Sequence, residues 1–206
     1  MIWITEKIIT QGDLDHYSKL VYKDKTNNWI REAIAMSLLE HNNYGGNIIT
    51  DMNDQLHCGD IVINYDNEIE CEPYYVDIKH SYNNSLYVDI AYYKDKLKHT
   101  EHNQKNTNDN KGWLYNLDMC DCLLLIDNSK QFFYLINNWQ IARTRLITLA
   151  NAPSFGKRIP NCIKQITTYD KYCNKYTDSF LVELNAYDIE RYLGVKIYKD
   201  KYTIVS

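Results

Sequence analysis

Apolar residues recur at helical spacing near the start of the chain, and this pattern predicts two helices. The first covers residues 13–23 and has a face formed by Leu14, Tyr17 and Val21. The second covers residues 28–43 and has a stripe formed by Ile30, Ala33, Ile34 and Leu38. Met36 and Leu39 extend its apolar surface to a second flank, so we expect this helix to be buried. The Tyr-Gly-Gly sequence at 44–46 is expected to end it.

Short runs of β-branched and alternating apolar residues fill the middle of the chain and predict strands. These runs are residues 47–51, 60–64, 74–80, 86–91, 120–127 and 131–136. A basic helix is predicted over about 138–149, and the tail adds a strand over 179–184 and a helix over 185–193. Residues 94–112 are polar and predict a long loop. This order predicts an α/β fold, in which helices flank a central mixed β-sheet.

The length and composition narrow the class of protein. The 206 residues fit a single domain, 1–206, whose last part, about 150–206, forms a C-terminal α/β extension. Apolar residues make up 45%, which suits a globular core, and no apolar run is long enough to span a bilayer. The N-terminal sequence lacks the features of a secretion signal, so we expect a cytoplasmic protein with six reduced cysteines. The closest pair, Cys120 and Cys122, is expected to lie in a buried strand rather than at a metal.

The charge of the chain bears on its partners. A net charge of −4 does not favour binding to nucleic acid, because phosphate contacts require cations. Basic residues nevertheless cluster locally, which keeps such binding open. The clusters are Lys94, Lys96, Lys98 and Lys105; Arg143 and Arg145; and Lys157, Arg158 and Lys164. Ordinary solvated surface is the alternative interpretation of each cluster.

Two acids and a lysine in the predicted strands carry the chemistry that the sequence suggests. Residues i and i+2 of a strand point to the same side, so Asp77 and Lys79 share a face, opposite Val76 and Ile78. If the strands that contain Asp60 and Asp77 are neighbours, the two carboxylates can converge. Paired carboxylates are suitable oxygen ligands for Mg²⁺.

Lys79 has two alternative roles beside such a centre. As an ammonium it orients the attacking water and stabilises charge on a phosphate. With a pKa depressed by desolvation it could instead act as a base. A same-face ion pair between Asp77 and Lys79 on an exposed sheet is the structural alternative. A second Asp-x-Lys sequence, Asp109 to Lys111, lies in a polar segment without strand character and is discounted.

A helix acid is expected to complete the site, and the second helix offers Glu32 and Glu40. Neither lies on the main apolar stripe of that helix. Glu32 lies beside Met36 and Leu39, on a flank that we expect to be buried, where an unpaired acid is costly. Glu32 is therefore the preferred candidate, and a surface acid in a helical charge network is the alternative.

Three segments together resemble the PD-(D/E)xK nuclease superfamily, and small phage- and bacterial-type endonucleases in particular. They are WIREAIAMSLLEHNNY, CGDIVIN and YYVDIKHS, and the likeness covers about residues 28–145. It continues downstream through LYVDIA, Gly112-Trp113 and CDCL. Gly59 stands where a proline often precedes the first acid, and the net acidity is unusual for the family.

The resemblance implies a restriction-endonuclease-like core and a role for each matching residue. Glu32 would be the helix acid, Asp60 and Asp77 the metal ligands, and Lys79 the catalytic lysine. The backbone carbonyl of Ile78 would also touch the metal. Supporting roles are implied for Asp89 and Asp121, whereas His57 and His80 are expected to be neighbouring polar contacts.

The predicted function is therefore a DNA endonuclease that uses Mg²⁺, with Mn²⁺ as the other candidate ion. One alternative is a catalytically silent module on the same fold that binds nucleic acid or protein. Another is an RNase or a single-strand nuclease. No membrane partner is expected, and a homodimer would suit cleavage of both strands.

Overall fold

The computed structural model of the protein describes residues 1–20, 29–63, 72–82, 85–93, 113–150, 163–170 and 175–206. The helices are α1 (Gln11–Leu20), α2 (Trp29–His41), α3 (Met52–Cys58), α4 (Trp113–Asn116), α5 (Trp139–Ala150) and α6 (Ala186–Asp188), and α6 runs on as a π-helical turn over Ile189–Leu193. The strands are β1 (Ile8–Thr10), β2 (Gly46–Ile48), β3 (Ile61–Ile63), β4 (Tyr74–Tyr82), β5 (Ser85–Tyr93), β6 (Cys122–Asp127), β7 (Phe132–Ile136), β8 (Ile163–Asp170), β9 (Lys175–Asn185), β10 (Tyr198–Lys201) and β11 (Thr203–Val205).

Nine of these strands form one mixed sheet within the described part of the chain. Its main path is β10-β7-β6-β4-β5-β9-β8, and β3 and β2 are added beside the first half of β4. The β4–β6 pair is parallel, whereas the other pairs of this sheet are antiparallel. The predicted α/β class with a central mixed sheet is confirmed.

The two faces of the central strands are covered by different helices, and this fixes where the side chains of β4 point. Val76 and Ile78 belong to a core that includes the buried residues of α1 and α2. Leu123 and Leu125, opposite Asp77 and Lys79 in the β4–β6 register, belong to a second core that includes residues of α5. The predicted alternation of β4 is therefore confirmed.

Helix α2 is buried along most of its length, as predicted. Its run from Ala33 to Leu39 is buried throughout, and burial of a side chain such as Leu38 contributes about 1.5–3 kcal/mol. The helix ends at His41, two residues before the predicted end at 43. Asn43 adopts the left-handed conformation, with φ 63°, and the Tyr44 N–H donates to the Leu39 carbonyl at 2.9 Å, so the helix ends before the two glycines.

Several elements were not predicted because they lack an apolar period of their own. Helix α3 is short and polar, and it begins at Asp51, whose carboxylate accepts from the N–H groups of Asn53 and Asp54. Strands β10 and β11 are stabilised by pairing with β7 and β1. Residues of the expected C-terminal extension thus enter the same sheets as the core.

The polar segment predicted as a long loop, residues 94–112, lies outside the described residues, as does the discounted Asp109 to Lys111 sequence. None of the described helices has the length and apolar character needed to cross a bilayer.

Candidate active site

Gly59 allows the start of β3 to approach β4 unusually closely. Its φ is +106°, and a Cβ at this position would lie 2.8 Å from the Cβ of Asp77 and 2.9 Å from the carbonyl oxygen of Val76. Only glycine has both this conformation and this clearance. The next residue, Asp60, donates its N–H to the Val76 carbonyl at 3.0 Å, so the turn places Asp60 directly beside Asp77.

The Asp60 side chain is fixed by the backbone of β4. Its Oδ2 accepts a hydrogen bond of 2.7 Å from the Ile78 N–H, just beyond the point where the β3–β4 ladder ends. A carboxylate held in this way by a backbone donor loses little entropy on binding a ligand through its other oxygen. The Asp60 carboxylate acts on Asp77 and helps to raise the pKa of that carboxyl.

Asp77 is almost completely buried, and Lys79 is its nearest cation. The Lys79 Nζ lies 2.5 Å from Asp77 Oδ2, and their side chains are 27% and 3% exposed, respectively. The ammonium also lies 5.1 Å from the centre of the Trp113 ring, at the start of α4. The pair is therefore not an ordinary ion pair on an exposed sheet, because one partner is inside the protein.

The surroundings perturb both ionisable groups. Burial, together with the nearby charge of Asp60, raises the pKa of Asp77 to about 7, although Lys79 acts in the opposite direction. Burial alone would lower the pKa of Lys79, but the charges of Asp77 and Asp60 outweigh it and raise that pKa. A neutral Lys79 that acts as a base, one of the two predicted roles, is disfavoured, and the ammonium role is favoured.

A pocket of about 240 Å³ opens beside these groups and is lined by Arg31, Glu32, Asp60, Ile78, Lys79 and His80. Helix α2 contributes Arg31 and Glu32, and the remaining residues come from the meeting point of β3 and β4. The preferred helix acid, Glu32, thus lines the pocket. The other candidate, Glu40, lies exposed near the end of α2.

The donor set can be tested for its fit to a divalent cation. In the described part of the chain, no group of three or more His, Cys, Asp or Glu side chains is close enough to form a complete metal site. Two carboxyl groups, those of Asp60 and Asp77, interact, and the buried Asp77 Oδ2 has the Lys79 ammonium 2.5 Å away. A divalent cation bound by both carboxylates would take over the compensation that this ammonium provides, and Glu32 lines the pocket together with Asp60. The residues therefore fit a partly formed oxygen-ligand site.

Asp121 and His57 do not line this pocket, whereas His80 does. Asp121 links elements, because its Oδ2 accepts from the Tyr75 N–H at 2.8 Å and its carbonyl accepts from the Trp139 N–H at 3.0 Å. His57 contacts Asp118 at 2.7 Å, as a polar contact. Asp89 lies in β5, but its side chain is outside the described residues.

Some predicted basic and sulfur groups have structural roles. Arg143 donates to the carbonyls of Leu114 and Tyr115, and Arg145 donates to the Leu193 carbonyl. The other two basic clusters lie on residues whose side chains are not described. Cys120 and Cys122 are free and buried, and burial raises the pKa of both thiols. Cys122 begins the buried strand β6 as predicted, whereas Cys120 lies just before that strand.

Two residues of the site were not found from the sequence. Arg31 was overlooked although it directly precedes Glu32, since a basic residue in a helix has many surface roles. Trp113 entered the prediction only through the family resemblance, and local sequence gives no signal that it approaches Lys79.

Comparison of the chain with protein-family models, curated proteins and solved structures finds no match. The resemblance to the PD-(D/E)xK superfamily therefore stays a prediction that rests on the residues themselves.

Proposed function

We propose that the protein is a metal-dependent endonuclease that hydrolyses phosphodiester bonds in DNA, on a restriction-endonuclease-like core. One observation carries the proposal. The Gly59 turn places Asp60 beside the buried Asp77, and Asp60 lines a pocket together with Glu32 and Lys79. This set combines oxygen ligands for Mg²⁺ or Mn²⁺ with a cation suited to a phosphate.

Each residue would have a distinct task. Mg²⁺ held by the carboxylates of Asp60 and Asp77 would supply a Lewis acid for the phosphate and lower the pKa of a water. Asp60 is oriented by the Ile78 N–H, and this bond fixes the carboxylate before any ligand arrives. Glu32 would bind from the side of α2. The Ile78 carbonyl remains a further candidate ligand by resemblance.

Lys79 would act as a permanent ammonium. Its raised pKa keeps it charged near neutral pH, so it would hold the attacking water by hydrogen bonding and stabilise the negative charge that grows on the phosphate. Contact with the Trp113 ring restricts where this flexible side chain can go. Loss of one such preorganised donor typically costs about 10²–10³ in rate.

The test is cleavage of supercoiled plasmid with Mg²⁺ or Mn²⁺ by the wild type, Lys79→Ala and Asp77→Asn. Lys196→Ala is a matched control, because Lys196 is exposed and lies outside the pocket. We expect cleavage by the wild type and the control, and a loss of at least about 100-fold in the two site variants and in chelator. Equal cleavage by all four proteins would point to a contaminating nuclease.

A second candidate, a catalytically silent binding module, is favoured by the direct Lys79–Asp77 contact. An ammonium in that place already compensates the carboxylate that a metal would use. Absence of cleavage of plasmid, single-stranded DNA and RNA with either ion, together with no Mn²⁺ binding by calorimetry, would support this candidate. Cleavage of RNA or single strands alone would support the alternative nuclease class.

A further inference from the structure

Arg31 is a cation in the candidate pocket, and the proposed roles of the metal ligands and Lys79 leave it without a function. It lies in the first turn of α2, directly before Glu32, and lines the pocket with Asp60, Lys79 and His80. Its side chain is half-buried rather than free on the surface. A helix of this length, buried along Ala33 to Leu39, is a rigid platform for a residue that must hold a ligand.

The acids of the pocket act on Arg31. Burial opposes its positive charge, whereas Glu32 and Asp60 favour it. A guanidinium cannot lose its proton in a protein, so this charge is permanent. When those acids become metal ligands, their negative charge is shared with the metal, and Arg31 becomes available to an anion.

The charge count of the pocket agrees with this order of events. The carboxyl groups of Glu32 and Asp60 line the pocket, and that of Asp77 lies behind it in contact with Lys79. Together with the cations Arg31 and Lys79 they give a net charge of about −1 when all are ionised and His80 is left out. A divalent ion changes this to about +1, which one phosphodiester group neutralises. The pocket is thus expected to repel a phosphate without metal and to attract it with metal.

We propose that Arg31 binds the scissile phosphodiester and positions it over the carboxylates, an inference that rests on the proposed nuclease function. The planar guanidinium can donate two parallel hydrogen bonds to two phosphate oxygens, a geometry that a lysine cannot reproduce. Lys79 then hydrogen-bonds the attacking water, and Arg31 binds the phosphate that the water attacks. Arg31 therefore contributes to the affinity for the substrate as well as to the orientation of the phosphate.

The experiment compares wild type with Arg31→Ala, Arg31→Lys and Arg31→Gln, and uses Arg191→Ala as the control. Arg191 is an exposed arginine that contacts Tyr187 on the π-helical turn after α6. Binding of labelled duplex DNA, single-stranded DNA and RNA is measured with Ca²⁺, to limit turnover, and again in chelator. Binding of Ca²⁺ alone is measured by calorimetry, and cleavage kinetics are measured with Mg²⁺.

We expect Arg31→Ala to weaken binding of the preferred oligonucleotide about 10- to 100-fold in Ca²⁺, the range for loss of a charged hydrogen bond. Its affinity for Ca²⁺ should not fall, its KM should rise, and added guanidinium should restore part of the loss. Arg31→Lys should recover only part of the binding, and Arg191→Ala should match the wild type. All proteins should bind weakly in chelator.

Other outcomes overturn the inference. The inference is wrong if Arg31→Ala and Arg31→Gln bind the oligonucleotide as tightly as the wild type does. It is also wrong if these variants lose Ca²⁺ binding and oligonucleotide binding to the same extent, because equal losses indicate a structural role. Failure of the wild type to bind any of the three nucleic acids with Ca²⁺ would also overturn it. Metal-dependent binding through Arg31 without cleavage would instead refute the nuclease proposal and retain Arg31 only as a phosphate-binding residue of a catalytically silent module.

Discussion

Replacement of Asp77 by asparagine should stabilise the protein when no divalent ion is bound. The pKa of this buried carboxyl is raised from 3.8 to about 7, so the folded state holds the proton more tightly than the unfolded chain does. Ionisation of Asp77 near neutral pH therefore opposes folding. Asparagine has almost the same shape and carries no charge, so it removes this cost.

The magnitude follows from the two pKa values of Asp77. The interval between 3.8 and about 7 corresponds to about 4 kcal/mol, because a tenfold change in the equilibrium constant is worth about 1.4 kcal/mol. The attraction of Lys79 is already included, since it contributes to the raised value. We expect the free energy of unfolding of Asp77→Asn to exceed that of the wild type by about 2–4 kcal/mol at pH 8. This corresponds to a rise of roughly 4–16 °C in Tm for a chain of this size.

The pH dependence gives the sign of the effect. Because the folded pKa of Asp77 is the higher one, the stability from its protonated form is complete below about 3.8 and is lost as the pH rises to about 7. The advantage of Asp77→Asn in the free energy of unfolding should be smaller at pH 5 and reach its plateau above pH 7. Urea unfolding followed by circular dichroism, in chelator, at pH 5 to 8 measures it.

Asp13→Asn is a control of opposite sign. Partial burial raises the pKa of Asp13, but hydrogen bonds from the Thr10 backbone and hydroxyl outweigh it and lower the net value. This substitution should therefore destabilise the protein at neutral pH. Saturating Mg²⁺ or Mn²⁺ should stabilise the wild type by about 2.7 kcal/mol at one hundred times Kd, and Asp77→Asn by much less. An Asp77→Asn variant no more stable than the wild type at pH 8 in chelator would refute the reasoning.

Gly59→Ala should destabilise the fold by about 2–4 kcal/mol in urea unfolding and weaken Mn²⁺ binding. The reason is that the alanine Cβ would lie within 2.9 Å of atoms of β4 and the backbone would have to keep a φ of +106°. Gly45→Ala, whose Cβ would meet nothing within 4 Å, should change stability by less than about 0.5 kcal/mol, and equal effects of the two would contradict the close approach. Glu32→Gln should reduce metal-dependent cleavage about 10- to 100-fold, whereas exposed Glu40→Gln should not, and the reverse result would identify Glu40 as the helix acid. Asp121→Ala should lower the free energy of unfolding by about 1–3 kcal/mol, because the Tyr75 N–H loses its acceptor. The variant should still be stabilised by Mn²⁺. Loss of that stabilisation in a folded variant would place Asp121 in the site.

The parts of the site that follow from local periodicity were predictable. The two-residue period of a strand placed Asp77 and Lys79 on one face and Val76 and Ile78 on the other. The helical period, together with the cost of burying an acid, distinguished Glu32 from Glu40. These inferences needed only neighbours along the chain, because backbone geometry fixes such directions whatever the rest of the fold does.

Interactions between distant segments were decided by tertiary structure. In the sequence, Gly59 is a departure from the pattern of the superfamily that the chain resembles, whereas in the fold its missing side chain allows Asp60 to lie beside Asp77. The basic pair Arg143 and Arg145 suggested a surface for nucleic acid, yet both side chains bind carbonyls of neighbouring elements. Distances across strands depend on register and packing, which no local pattern encodes.

The sequence by itself determined the α/β class, the buried helix α2 and the types of chemical group available to the site. Only the tertiary structure decided which groups meet, and it added Arg31 and Trp113 to the pocket's surroundings. It also decided the electrostatics, because the raised pKa values of Asp77 and Lys79 come from burial and close approach. The residue type determines which side chains can carry a charge, but the free energy of ionisation depends on how much water the fold leaves around the group.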